Sequence, residues 1–234
     1  MATNQFEAAA QNAIELSRSR SRAEIDEFEA EAERQAHAAR IGAMSRFGVP
    51  KRIRGMIPDG ISDTRAIKRV VEWHGEQQRD ESNWCLVLSA QPGTGKSTAA
   101  GVWLWLRTAG VVGFNACERV TRPDLGTSAN AQRWFSASEI AAASGFDGSV
   151  DSLCAMRALV FDDLGTEYTD RRGYVKTRLD VIIDSRYREF RPTLITTNLN
   201  VGSFRERYGE RVADRLREGG AWFEFQAGSM RSGK

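Results

Sequence analysis

Eight residues, Ala90, Gln91, Pro92, Gly93, Thr94, Gly95, Lys96 and Ser97, stand between two apolar stretches. Trp84-Cys-Leu-Val-Leu-Ser precedes them and reads as a buried parallel strand. Thr98-Ala-Ala-Gly-Val-Trp-Leu-Trp-Leu-Arg follows them and reads as a buried helix. The eight residues are therefore a strand-to-helix turn. Gly93 and Gly95 allow a backbone that points successive N–H groups inward. Lys96 adds a mobile positive charge, and the helix starting beside it adds its positive end. This combination cradles phosphate, with the Ser97 hydroxyl placed to ligate Mg²⁺ and Thr98 next to it. Ala90 stands where such loops usually begin with glycine, and its small side chain still permits close packing.

The rest of the chain repeats the alternation. Strands are expected at 133–136, 158–162, 192–197 and 221–225, and helices at 137–143, 173–190 and 201–216. Together with the first strand and helix they predict an α/β fold, a five-stranded parallel sheet with helices on both faces. Residues 113–131 read as a loop. A helix is expected from residue 64, capped by Asp63, with Ile67, Val70, Val71 and His74 at helical spacing. Residues 47–63 carry Gly48, Pro50, Gly55, Pro58 and Gly60 and read as a linker. Residues 1–46 hold no proline and no glycine before Gly42, and predict one long or broken helix. Its apolar residues (Phe6, Ile14, Leu16, Ile25, Phe28 and Ile41) are too sparse for a core, so this helix needs a partner. The expected organisation is a helical extension over 1–46, a linker and lead-in helix over 47–83, and a core over 84–234.

Lys and Arg number 33 against 31 Asp and Glu, a net charge of +2. Affinity for nucleic acid must then come from a local patch. The candidates are Lys51, Arg52 and Arg54, or the arginines at 171–172 and 186–188. Cys85, Cys117 and Cys154 are far apart and odd in number, which argues against a disulfide framework and a structural zinc site. No run of about 18 apolar residues and no signal-peptide pattern is present, so a cytoplasmic protein without membrane contact is expected.

Two further segments carry chemistry. Leu159-Val-Phe brings a strand to Asp162 and Asp163. Ligands of parallel sheets bind at that strand edge. Asp162 is placed to hold the Mg²⁺ shell, as a Walker-B aspartate does, and Asp163 to polarise an attacking water. Thr196-Thr-Asn ends the next strand, where the Asn198 amide can reach a γ-phosphate or that water. On a helix over 201–216, Arg207, Arg211 and Arg215 share one face. They either pair with the row Glu206, Glu210 and Asp214, or reach a neighbouring subunit's nucleotide as an arginine finger.

Ser89–Thr98, Leu159–Gly165 and Arg191–Leu199, taken together, resemble the DnaC/IstB branch of the AAA+ ATPases. The resemblance runs over about residues 47–231. Val49-Pro-Lys-Arg-Ile-Arg is similar to the segment that passes near the adenine in that branch, and Gly228-Ser-Met-Arg to its usual ending. The resemblance implies a P-loop NTPase AAA+ core without a C-terminal lid, which binds ATP and Mg²⁺ and hydrolyses ATP. It places Ala90 to Thr98 on the nucleotide, Ser97 and Asp162 on the metal, and Asp163 and Asn198 in catalysis. Arg215, or alternatively Arg211, becomes the finger, which implies a homo-oligomer. The branch holds helicase loaders and transposition helpers. The implied role is loading a replicative helicase on single-stranded DNA during replication initiation, or recruiting a transposase, with the partner gripped by the N-terminal helix. A third reading, a nucleotide-dependent binding module without turnover, follows from Asp163 standing in place of glutamate.

Overall fold

The computed structural model describes residues 22–57, 64–108, 132–142, 149–167 and 173–226. The expectations for residues 1–21, the 113–131 loop, Asp63, Arg171, Arg172 and 228–231 lie outside the described residues. The chain divides into two units, residues 1–41 and 42–234. The division falls ahead of residue 46 because Ala43 and Met44 are core residues of the second unit. Helix α1 spans Arg22–Arg46, and its residues in the first unit carry an exposed Arg34–Glu31 pair at 2.8 Å and leave Phe28 61% exposed.

The second unit holds α2 (Lys51–Met56), α3 (Arg65–Arg79), β1 (Cys85–Ser89), α4 (Lys96–Thr108), β2 (Gln132–Ser136), α5 (Ala137–Ala142) and α6 (Ser149–Ala155). It continues with β3 (Ala158–Leu164), α7 (Tyr174–Arg188), β4 (Thr193–Thr197), α8 (Val201–Tyr208), α9 (Glu210–Arg217) and β5 (Gly220–Glu224). The five strands form one parallel sheet in the order β2-β3-β4-β1-β5.

The continuous apolar runs have a direct cause. Successive strand residues point to opposite faces. Leu86 and Leu88, Val160 and Leu194 enter a core with α2, α3 and α4. Cys85 and Val87, Leu159, Phe161 and Ile195 enter a second core with α5 to α9. Both faces are covered, so the polar strand residues Thr193, Thr196 and Thr197 are themselves buried and need hydrogen-bond partners. The helix termini are capped locally. Thr64, not Asp63, caps α3, its hydroxyl accepting from the Ile67 N–H at 3.2 Å. Ser136 and Glu139 cap α5 reciprocally, the Glu139 carboxylate accepting from the Ser136 N–H at 2.7 Å.

Two sequence expectations are corrected here. Part of the 47–63 linker is the helix α2, and Phe47, Val49, Ile53 and Ile57 are buried core residues. The reason is close docking on α4. A Cβ at Gly101 would lie 2.4 Å from the Ile53 Cγ2, so glycine is what lets α2 settle there. Gly101→Val is expected to lower stability by about 1–3 kcal/mol, read as a fall in the thermal midpoint. Second, the helix expected over 201–216 is two helices. Gly209, with φ 99 and ψ 157, ends α8 and starts α9. Arg207 therefore does not share a face with Arg211 and Arg215.

Arg186 is also corrected. It was a candidate for contacting nucleic acid, yet it is fully buried. Its guanidinium bonds the Thr193 hydroxyl and the carbonyls of Leu153, Met156 and Pro192. Arg188 is exposed and pairs with Asp184 at 2.6 Å.

Candidate functional site

The C-terminal ends of β1, β4 and β3 lie side by side, with Ser89 opposite Thr197 and Leu164 opposite Thr197 on the other flank. The turn after β1 has Gly93 at φ 82 and Gly95 at φ 87, left-handed values that a side chain disfavours. They let the loop close over Lys96, which begins α4 and is buried. The Lys96 ammonium donates to the carbonyls of Ala90 (2.7 Å) and Gln91 (2.9 Å) and to the Asn198 Oδ1 (2.8 Å). The expected loop lysine and the expected sensor amide are thus in contact, although 102 positions separate them.

A cleft of about 440 Å³ opens here. Pro92 to Thr98, Asp162, Asp163 and Asn198 line one side. Pro50, Arg52, Ile53 and Met56 line the other, with the Met56 sulfur 3.8 Å from the Thr98 hydroxyl. The segment expected beside the adenine therefore faces the phosphate loop through α2. Ala90 and Gln91 contribute carbonyls to the loop interior.

Asp162 and Asp163 sit at a register shift in β3, and Asp163 takes a left-handed φ of 57. Thr196, fully buried, holds both. Its hydroxyl donates to the Asp162 Oδ1 at 2.7 Å and accepts from the Asp163 N–H at 2.9 Å. The sequence singles out Thr196-Thr-Asn but gives the role to the Asn198 amide, whereas it is the Thr196 hydroxyl that holds the two aspartates. Burial pushes the Asp162 carboxyl up to about 6, and the Asp163 charge adds to this against hydrogen bonds from Thr196 and Ser97. Ser97 and Asp162 both line the cleft at the end of the phosphate loop. The Ser97 hydroxyl and the Asp162 carboxylate are oxygen donors of the kind that would hold a Mg²⁺ ion here.

Asp162→Asn is expected to stabilise the fold in Mg²⁺-free buffer. The carboxyl's folded pKa lies above its ordinary 3.8, so its favourable contribution is present below that value and lost as pH rises through about 6. The variant should match the parent near pH 4 and exceed it by on the order of 2 kcal/mol at neutral pH, read by urea denaturation. A difference independent of pH would contradict a desolvated carboxylate here.

The arginines lie elsewhere. Arg215 bonds Asp180 at 3.1 Å and also Asp184, both on α7. Arg211, 61% exposed, reaches the same two carboxylates at 3.5 Å. Neither lines the cleft of its own chain. Arg207 is held by Glu167, a residue the sequence reading did not single out.

Comparison with known proteins follows the same lines. No family model matches the chain. Over 84 residues the chain is 34% identical to the replicative helicase loader DnaC of Escherichia coli K12, covering 36% of this chain and 34% of that protein. The Shigella flexneri DnaC matches to the same extent. The chain thus matches about a third of the length of these curated relatives. Among solved structures, a Streptococcus pyogenes serotype M3 protein solved as a candidate primosome component superposes with a TM-score of 0.57 and 17% identity. That match covers 81% of this chain and 97% of the other. The DnaC helicase loader superposes with a TM-score of 0.54 and 18% identity, over 75% and 99% of the two chains. At these identities the structures speak for the fold alone, a five-stranded parallel sheet flanked by helices. What the chain shares with these proteins is a local stretch of sequence with the helicase loaders and a fold with the solved structures.

Proposed function

We propose that this chain binds and hydrolyses ATP and uses that cycle to load or remodel a replicative helicase on single-stranded DNA. The observation that carries the helicase reading, ahead of transposase recruitment, is the 34% identity over 84 residues to a replicative helicase loader. The geometry supports the nucleotide half of the proposal. Lys96 and the inward N–H groups of the Gly93–Gly95 turn would meet the phosphates. Ser97 and Asp162 would hold Mg²⁺, which neutralises charge on the phosphate oxygens when bound. Ile53 and Met56 offer an apolar wall to a base across the cleft. Asp163 would polarise the attacking water, and Asn198 would exchange its contact with Lys96 for the γ-phosphate. A finger role for Arg215 or Arg211 requires a neighbouring copy's phosphates to outcompete Asp180 and Asp184. For single-stranded DNA, Lys51 and Arg54 remain surface candidates, whereas Arg52 lines the nucleotide cleft.

The test of the partner uses the full chain and Phe28→Asp, whose side chain lies on the N-terminal helix. With ATP present, affinity capture and mass spectrometry should recover a replicative helicase, and the variant should lose it. Recovery of a transposase instead would move the protein to the transposition branch. Phosphate release measured with and without single-stranded DNA separates turnover from nucleotide-dependent binding alone.

A further inference from the structure

Glu167 is a carboxylate with only 1% of its side chain exposed, and it faces no part of the nucleotide cleft. Such a group persists in a core only when donors fill its lone pairs. Its Oε2 accepts from the Gly165 N–H at 2.8 Å. Its Oε1 accepts from the Tyr208 hydroxyl at 2.5 Å and from the Arg207 Nε at 2.9 Å. The Arg207 Nη2 also donates to the Glu167 carbonyl at 2.5 Å. One side chain thus joins two segments far apart in sequence.

Each segment is constrained on its other side. The turn after Asp162 contains two left-handed residues, Asp163 at φ 57 and Gly165 at φ 103. Thr196 fastens Asp163, and the Thr197 hydroxyl donates to the Leu164 carbonyl at 2.6 Å. Leu199 packs so closely on Gly165 that a Cβ there would lie 2.8 Å from it. At the far end Tyr208 is the last residue of α8, and Gly209 turns the chain into α9. Helix α9 carries Arg211 and Arg215. Burial, and then the hydrogen bond to Glu167 and that carboxylate's charge, hold the Tyr208 phenol well above its ordinary range, so it stays a donor.

We propose that Glu167 is a positioning residue that ties the turn bearing Asp162 and Asp163 to the α8–α9 corner, so that the state of the nucleotide site is transmitted to Arg211 and Arg215. This rests on the ATPase reading above. The link is short and buried, and both ends are backbone turns, so neither end shifts without the other.

The experiment compares the parent chain with Glu167→Gln and Tyr208→Phe. Tyr208→Phe removes one donor and keeps the ring packed against Phe204. ATP·Mg²⁺ affinity, steady-state hydrolysis and amide hydrogen exchange over residues 205–217 are measured for each. In the parent, ATP should alter exchange over 205–217. In both variants that response should vanish and kcat should fall about tenfold, with Kd for ATP within about twofold of the parent. Where Glu167→Gln does not fold, Tyr208→Phe decides. Lower melting temperature with unchanged kcat and an intact exchange response makes Glu167 structural only and overturns the proposal. No exchange response in a parent that binds ATP overturns it as well and leaves the ATPase reading standing. A parent that does not bind ATP overturns both.

Discussion

Lys96→Ala is expected to weaken ATP binding by a factor on the order of 100, about 3 kcal/mol. The size follows from where the ammonium sits. It is 4% exposed, inside a loop whose carbonyls and the Asn198 amide oxygen already orient it. A charged donor held in a partly dry site contributes more than one in water. Alanine removes that charge from the phosphates and leaves the Ala90 and Gln91 carbonyls without their donor. Calorimetric titration of the full chain with ATP and Mg²⁺ reads the effect. An unchanged dissociation constant would show that residues 90–97 are not the phosphate site.

The largest loss of stability is expected from Arg186→Ala, about 3–5 kcal/mol. The side chain is fully buried and no carboxylate pairs with it among the bonds described. Its Nε donates to the Thr193 hydroxyl at 2.7 Å. Its Nη1 donates to the carbonyls of Leu153 and Met156, and its Nη2 to that of Pro192. These bonds close the end of α6 and fix the start of β4 against α7. Burial lowers the guanidinium to about 9, which still leaves it charged at neutral pH. Truncation takes this donor from the Leu153 and Met156 carbonyls and the Thr193 hydroxyl, while the Pro192 carbonyl keeps the Leu159 N–H, and it also leaves a cavity. Arg186→Met restores most of the volume, so a similar loss in that variant assigns the effect to the hydrogen bonds. Urea denaturation measures both, and an unmoved midpoint would refute the assignment.

Against this background the legible parts of the fold share a property. Strands β1 and β3 announce themselves because a sheet covered on both faces favours consecutive apolar residues, as in Cys85–Leu88 and Ala158–Phe161. The phosphate loop is legible because its chemistry is local, with glycines, lysine and hydroxyl within a few positions. The segment 47–57 was harder. Its glycines and proline signal a break, while its burial depends on the space that Gly101 leaves on α4. The division at Gly209 was equally hidden, since helical periodicity continues on both sides of it. What decides it is Tyr208 meeting Glu167 and Arg215 meeting Asp180.

Taken alone, the sequence determined that the chain is an alternating α/β protein with a phosphate-binding turn and two acids one strand edge away. Spacing along the chain encodes such features, and they need no knowledge of distant neighbours. Only the tertiary structure decided that Arg186 is interior, that Thr196 holds both aspartates, that α2 walls the cleft, and that Glu167 joins two turns. In each case the deciding partner lies far along the chain, and burial or hydrogen bonding to it sets the role of a residue whose type alone fits several.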